Sequence, residues 1–278
     1  MLMTPLQSAI ADYDKNFINN WNNVFREYKT QSQKFWLAGP TSYIFSLEKE
    51  RFAVDLQIRR KEDLEKLKTQ LVSDTDKLSF ILITHEHGDH MCVPLMNALK
   101  DTDIKWYIPF GAREDYIEKS EIKKENIVWV NPGDSWQIGN IKFNAFYSPH
   151  AKPGKEKFLQ CGYEISTPDK KILITGDVRD YDYSGYPDFE KVDICFSHLW
   201  AGNDSINPEN YMPLLNDFVN YNAKLKARKY YLCHLYELGR KDINLWDYSH
   251  AGLAAKMFYS IIPESIIEIP RIGQGYSI

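Results

Sequence analysis

Cysteine is scarce and unpaired in this chain: Cys92, Cys161, Cys195 and Cys233 stand singly, with no C-x-x-C pair. That spacing argues against a paired-thiol framework, so reduced, buried thiols are expected, with Cys92 packing close to His90. No apolar run approaches the ~20 residues needed to span a bilayer. The N-terminal Met1-Leu-Met-Thr-Pro-Leu-Gln7 has neither the charged start nor the apolar centre of a secretory signal, so a soluble, cytoplasmic protein without a membrane partner is expected. Charge of one sign is lacking too. A formal net charge of -4 and a pI near 6.0 leave nothing in the overall balance to draw the chain to nucleic acid or to an anionic surface. No serine sits in a G-x-S-x-G elbow, and no repeat, low-complexity run or linker divides the chain.

What the chain concentrates is histidine. Of its 7 His residues, three fall in His85-Glu-His87-Gly-Asp89-His90, together with a carboxylate. Phe80 to Ile83 ahead of them is a continuous apolar run, which reads as a strand buried on both faces and ending at the polar Thr84. Gly88 is expected to supply the backbone freedom that folds the polar residues round one point. Imidazole and carboxylate together suit Zn(II), Mn(II) or Fe(II), and none of the four would gain stability by crowding without a cation. A metal site is therefore expected here.

The rest of the chain alternates strands and helices. Leu6, Ile10, Tyr13, Phe17, Trp21, Val24 and Phe25 recur at spacings of three and four, predicting an amphipathic helix from about Pro5 to Tyr28. Its stripe is sufficient for packing on a sheet, and it admits a homo-oligomer contact without requiring one. Strands are predicted over 34–47 and 51–55, a charged helix over 59–68, and a helix after the cluster capped by Asp89. Further strands are predicted at 104–108 and 126–130, with a helix at 112–119 between them. A hairpin of 135–138 and 140–147 delivers His150 into the loop Ser148-Pro-His-Ala-Lys-Pro-Gly154. Strands follow at 158–165 and 192–196, the latter ending before His198. Lys170-Lys-Ile-Leu-Ile-Thr-Gly-Asp177 repeats the design of the first metal strand, and Tyr230-Tyr-Leu-Cys-His234 is another strand ending in a polar residue. Helices from Pro208 toward Tyr221 and from Ser249 to Ser260, capped by Ser249, with a strand at 266–269, complete the pattern. βαβ alternation followed by runs of strands argues α/β layering with mixed sheets, which suits a four-layer sandwich. Candidate site residues run from Asp55 to His234, so a single domain over 1–278 is expected.

His85-x-His87-x-Asp89-His90 after an apolar strand resembles the signature of the metallo-β-lactamase superfamily, whose members are mostly hydrolases holding two metal ions at one edge of an αββα sandwich. The resemblance implies an α/β fold, a four-layer αββα sandwich carrying an N-terminal helix. It also implies two divalent metal ions, Zn or Mn. His85, His87 and His150 would hold one ion and Asp89, His90 and His234 the other, with Asp177 giving one oxygen to each. Asp55 would support the histidines by hydrogen bonding. Asp89 and His198 are the candidates for a direct catalytic part, His198 by protonating a leaving group or orienting substrate. Phe35-Trp-Leu-Ala-Gly39, Asn131-Pro-Gly-Asp134 and Thr175-Gly-Asp-Val-Arg-Asp-Tyr181 look like the branch of L-ascorbate-6-phosphate lactonase-like metal-dependent hydrolases. Long insertions and Arg-rich ends of the lactonase proper are not evident, so its sugar-phosphate substrate does not carry over.

The function expected on these grounds is hydrolysis of an ester, lactone or phosphodiester bond in a small anionic molecule by a hydroxide bridging the two metals. The alternatives are a non-catalytic metal-binding or regulatory member of the same fold, or a nuclease. A flavodiiron protein would carry Glu where this chain has His87. Lys152, Lys155 and Lys157 follow His150, and Arg179 follows Asp177 by two residues. These cations are expected at the cleft mouth, with Arg179 and Lys152 binding an anionic substrate.

Overall fold

The structure is a computed structural model that describes residues 5–30, 33–112, 117–151, 158–236 and 245–278, with side chains from residue 16 onward. Its elements are α1 (Pro5–Glu27), β1 (Lys34–Leu37), β2 (Tyr43–Leu47), β3 (Glu50–Val54), α2 (Lys61–Leu67), α3 (Leu71–Asp74), β4 (Phe80–Leu82), α4 (Val93–Ala98), β5 (Lys105–Pro109) and β6 (Ile127–Val130). After them come β7 (Ser135–Ile138), β8 (Ile141–Tyr147), β9 (Cys161–Ser166), β10 (Lys171–Ile174), β11 (Ile194–His198), α5 (Pro208–Ala223), β12 (Lys229–Cys233), α6 (Tyr248–Ile261), β13 (Ile266–Glu268) and β14 (Gly275–Ser277). The helix expected over 112–119 falls partly on residues outside the described set.

Two seven-stranded sheets form the centre, in the orders β14-β1-β2-β3-β4-β5-β6 and β13-β12-β11-β10-β9-β8-β7. In each, antiparallel strands lead into a parallel run, β3 to β6 in the first sheet and β10 to β13 in the second. The last strand returns to the first sheet and pairs antiparallel with β1, Phe35 opposite Tyr276.

Three apolar clusters separate four layers. Phe80 and Leu82 point between the sheets, where Phe35, Phe45, Phe52, Phe143, Phe196 and Tyr231 also meet, whereas Ile81 points to the opposite face with Trp21, Phe25, Trp106 and Leu95. A strand so placed buries both of its faces, which is why its sequence is apolar without alternation. Stacked rings run across the first sheet, Phe45 on Phe52 at 5.0 Å and Phe52 on Phe80 at 4.9 Å. On the far face of the second sheet, Phe218, Val219, Ala254 and Phe258 of α5 and α6 cover Leu173, Cys195 and Tyr230. The result is helix, sheet, sheet, helix, the expected αββα sandwich with its N-terminal helix on the outer face.

Some local expectations are corrected. Cys92, not Asp89, stands at the start of α4, because the Asp89 carboxylate turns inward to histidines instead. The cap of the last helix also lies two residues earlier than expected. Asp247, not Ser249, caps α6, its carboxylate accepting from the backbone N–H of Ser249 and His250 at 2.9 and 3.3 Å. His250 Nδ1 lies 2.8 Å from the same carboxylate, and its Nε2 lies 2.8 Å from the Ser205 carbonyl oxygen.

Burial opposes charge on His250, but these two acceptors outweigh it and raise its pKa. Burial likewise opposes ionisation of Asp247, yet hydrogen bonds from His250 and Ser249 bring its carboxyl down to about 2. Stability from a raised histidine is complete below its unfolded pKa of 6.5 and is lost as pH rises through the folded value. Stability from the lowered carboxyl is present above 3.8 and lost as pH falls toward 2. Asp247→Ala should therefore lower the unfolding free energy by about 1–2 kcal/mol at a pH between those limits. Urea unfolding should show a smaller loss in alkaline buffer, and an equal loss at both pH values would mean that His250 carries no charge in the fold.

Candidate metal centre

Six strands end at one edge of the sandwich, and each delivers a polar residue there. β3 leads to Asp55, β4 to the segment His85–His90, β8 to His150, β10 to Asp177 and β12 to His234, while His198 is the last residue of β11. Loops beyond the carboxyl ends of such strands can converge without breaking a hydrogen-bond ladder. A cavity of about 580 Å³ lined by Lys170, Asp193, Arg228 and Lys229 lies at the opposite ends of β10, β11 and β12 and is separate from this edge.

The side chains gather in two adjoining clusters. Donor atoms of His85, His87 and His150 lie within 4.8 Å of one another, and those of Asp89, His90, Asp177 and His234 do the same. His85 Nε2 is 3.1 Å from His87 Nδ1, and the rings of His85 and His90 are centred 4.0 Å apart, so the clusters touch. All seven residues expected as ligands are thus brought together, with Asp177 grouped in the second cluster. Phe158 closes the first, its ring 5.4, 4.7 and 4.8 Å from those of His85, His87 and His150. That packing lies ahead of β9, which begins at Cys161 instead of Phe158.

Behind the histidines sits Asp55. Its carboxylate accepts from Thr84 N and Thr84 Oγ1, each at 2.7 Å, and from His90 Nδ1 at 2.6 Å. With Nδ1 donating, His90 turns Nε2 toward Asp89 and Asp177, 3.6 and 3.4 Å away. Asp55 and His234 adopt left-handed backbone, φ 49° and 65°, uncommon outside glycine although Asp and His are among the residues that enter it most readily. Hydrogen bonds hold both: Ser42 Oγ donates to the Asp55 carbonyl, and His234 donates its N–H to Pro40 while accepting from Trp246 Nε1. Gly176 is also left-handed, and a Cβ there would come 3.1 Å from the Gln160 amide, so both backbone and space favour glycine before Asp177. Gly88 has no such backbone and is not needed for its φ.

Electrostatics divides the clusters. Burial, reinforced by the neighbouring imidazoles, drives His85 well below its ordinary value; burial lowers His87 also, and burial with the Arg179 charge brings His150 to about 3. Burial opposes charge on His90 too, but Asp177, Asp55 and Asp89 outweigh it and raise the pKa well above normal. For Asp89 and Asp177 burial favours the neutral acid, and the facing histidines reverse that, holding both well below the usual carboxylate range. Neutral imidazoles stand beside two carboxylates, which is a donor set for borderline divalent cations. Among the described residues His150 Nε2 is buried without a hydrogen-bond partner, a cost of about 1–3 kcal/mol that a coordinated cation would remove, and His90 Nε2 has only the two carboxylates at 3.4 and 3.6 Å. The residues fit such an ion.

The other expected site residues are placed differently. His198 is fully buried behind Asp177, with Nδ1 2.8 Å from Asp177 Oδ1 and Nε2 2.7 Å from the Tyr43 hydroxyl. Arg179 lies beside the centre, Nη2 3.5 Å from Asp177 Oδ2 and Cζ 5.4 Å from the centre of the Trp200 ring. Lys152, Lys155 and Lys157 lie outside the described residues. Supporting residues that the sequence did not reveal are Thr41, which donates to the Asp89 carbonyl at 2.5 Å, Tyr43, and Gln160. Gln160 accepts from Asp177 N at 3.2 Å and donates to the Ser148 carbonyl at 3.3 Å, so it ties two ligand loops together. Only Thr84 left a signal, as the first polar residue after an apolar strand.

The family model described as the beta-lactamase superfamily domain matches residues 55–235, and the chain belongs to that family. Among curated proteins, a ribonuclease Z of Methanopyrus kandleri is 30% identical over 93 residues, covering 32% of this chain and 31% of that protein. A UPF0173 metal-dependent hydrolase of Flavobacterium johnsoniae is 28% identical over 150 residues, covering 52% of this chain and 64% of the relative. The chain spans less than two thirds of the length of these relatives. Among solved structures, CmlA, a diiron β-hydroxylase from Streptomyces venezuelae, superposes with a TM-score of 0.63 at 13% identity, over 90% of this chain and 55% of that one. That likeness is one of fold alone.

Asp55→Ala would leave Thr84 N–H buried without its acceptor and His90 Nδ1 with the Thr84 hydroxyl at 3.1 Å in place of a carboxylate, and should cost about 3 kcal/mol of stability in chelator-treated protein. Asp76, 45% exposed in its pair with Lys29, is the control. Asp76→Ala should cost under about 1 kcal/mol. Equal effects in chemical denaturation would remove Asp55 from its supporting role.

Proposed function

We propose that this chain is a metal-dependent hydrolase that uses two divalent ions, zinc or manganese, to cleave an ester, lactone or phosphodiester bond in a small anionic molecule. The observation that carries the reading is the pair of adjoining clusters, His85/His87/His150 and Asp89/His90/Asp177/His234, at one buried edge. Two ions there would supply an acidified water as nucleophile and a Lewis acid for the scissile carbonyl or phosphoryl group. His85, His87 and His150 would hold the first, and Asp89, His90 and His234 the second, with Asp177 serving both. Asp89, whose Oδ2 is 3.5 Å from His234 Nε2, would orient the attacking water.

No side chain is needed as nucleophile. Ser148 donates its hydroxyl to the Thr175 carbonyl and Ser197 donates to Asn222 Oδ1, so neither is paired with a base. Arg179 binds the anionic part of the substrate: among the described residues its Nε is buried without a hydrogen-bond partner, and its ion pair with Asp177 is long at 3.5 Å. The ribonuclease Z likeness supports a phosphodiester as the bond cleaved, while the net charge of -4 supports a small molecule over RNA.

Elemental analysis should find two divalent ions per chain, and Asp177→Ala should lose both. A stoichiometry of zero in metal-supplemented, folded protein would overturn the reading, and oxygen-dependent turnover with bound iron would replace hydrolysis with oxidation. Arg179→Ala should raise KM for a phosphorylated substrate roughly tenfold, the worth of one charge-assisted hydrogen bond, and leave a neutral lactone unchanged. Equal effects on the two substrates would make Arg179 structural.

A further inference from the structure

We infer that Tyr43 and His198 form a hydrogen-bonded strut, reaching from one sheet to the other, that positions the Asp177 carboxylate in the metal centre; the inference rests on the metal-dependent reading above. Tyr43 opens β2 in the first sheet and His198 closes β11 in the second, 155 residues apart in sequence. Both side chains are buried, and the tyrosine ring is held edge-on by Phe196 at 5.0 Å.

The chemistry of the three groups assigns every proton. An ionised Asp177 can only accept, so His198 Nδ1 carries the hydrogen and donates to Oδ1 across 2.8 Å. A neutral imidazole with hydrogen on Nδ1 has an accepting Nε2, so the Tyr43 hydroxyl donates across 2.7 Å. The direction is therefore single: Tyr43 to His198 to Asp177. His198 keeps no free nitrogen with which to protonate a leaving group, and it belongs to neither metal cluster. It is a positioning residue.

The strut acts on one oxygen. Oδ1, which His198 engages, is the oxygen that lies 3.4 Å from His90 Nε2 and 3.5 Å from His234 Nδ1, whereas Oδ2 faces Arg179. A hydrogen bond to Oδ1 alone fixes the rotation of the carboxylate plane, and with it the division of the two oxygens. Carboxylates commonly steady a ligand histidine from behind; here a histidine steadies a ligand carboxylate. A polar chain of this kind running through an apolar core is costly unless every member is satisfied, and here each of its two hydrogen bonds is made. Losing the strut would loosen the Asp89/His90/Asp177/His234 set more than the His85/His87/His150 set.

Zinc binding, followed by competition with a chromophoric chelator, tests this in the full chain. His198→Ala should weaken one of two binding steps by roughly 10–100-fold and leave the other within about threefold. Tyr43→Phe should weaken the same step by less, and His198→Asn, which keeps an N–H donor on the Asp177 side, should recover part of the loss. Unchanged binding in both His198→Ala and Tyr43→Phe, or an equal loss in both steps without rescue by asparagine, would overturn the strut. If the His198 variants fail to fold, Tyr43→Phe decides alone, and wild-type zinc binding in it overturns the proposal. If the wild-type chain binds no zinc, the metal reading fails separately. The nitrogen-15 spectrum of its histidines then decides the strut: His198 should show hydrogen on Nδ1, and hydrogen on Nε2 would overturn it.

Discussion

Two carboxylates buried side by side set the terms for this edge of the protein. Asp89 and Asp177 contribute oxygens to one cluster no wider than 4.8 Å. At that separation and an effective dielectric constant near 20, two unit charges repel by about 3.5 kcal/mol. Positive charge must therefore be close by. His90 supplies it when its proton is kept by Asp177, Asp55 and Asp89, and a divalent cation supplies more. The surrounding network follows from that demand. Asp55 fixes His90 from behind, Thr84 fixes Asp55, and His198 holds Asp177 Oδ1.

The distances among these groups depend on how the sheets pack. Asp55 and the segment His85–His90 leave the first sheet, while His150, Asp177, His198 and His234 leave the second. No single loop could set the gap between the two halves. The gap is set by rings such as Phe35, Phe52, Phe143 and Phe196, which fill the space between the sheets, and by contacts that join them directly. His234 N–H on the Pro40 carbonyl, Cys161 N–H on the Thr84 carbonyl and the Tyr43–His198 bond are three of these contacts. Left-handed backbone at Asp55 and His234 is held in place at the site by hydrogen bonds. A site mounted on rigid strand ends can place its ligands within tenths of an ångström, which a site on long loops cannot.

Membership of the β-lactamase superfamily explains the architecture without choosing the reaction. A diiron β-hydroxylase shares the fold with proteins named as hydrolases. In this chain Arg179 beside Trp200, and Phe158 against the three histidines of the first cluster, border the centre. Each of them is close enough to the centre to shape what reaches it.

Much of this was legible from the sequence by itself, because it is local or periodic. An apolar run reports a doubly buried strand, and His85, His87, Asp89 and His90 lie so near one another in the chain that any fold must bring them together. Resemblance and strand-end placement carried His150, Asp177 and His234. Tertiary structure alone decided the rest. Tyr43 meets His198 across 155 residues, and Gln160 reaches Asp177 across 17, without any pattern that announces the pairing. The short strand Gly275–Ser277 exists only because the edge of β1 is there to receive it. Even His198, visible as a polar residue at a strand end, looked free to act until both of its nitrogens were seen to be occupied. The physical reason is that apolar burial follows periodicity along the chain, whereas a hydrogen bond is directional and is settled by where the two sheets place its partners.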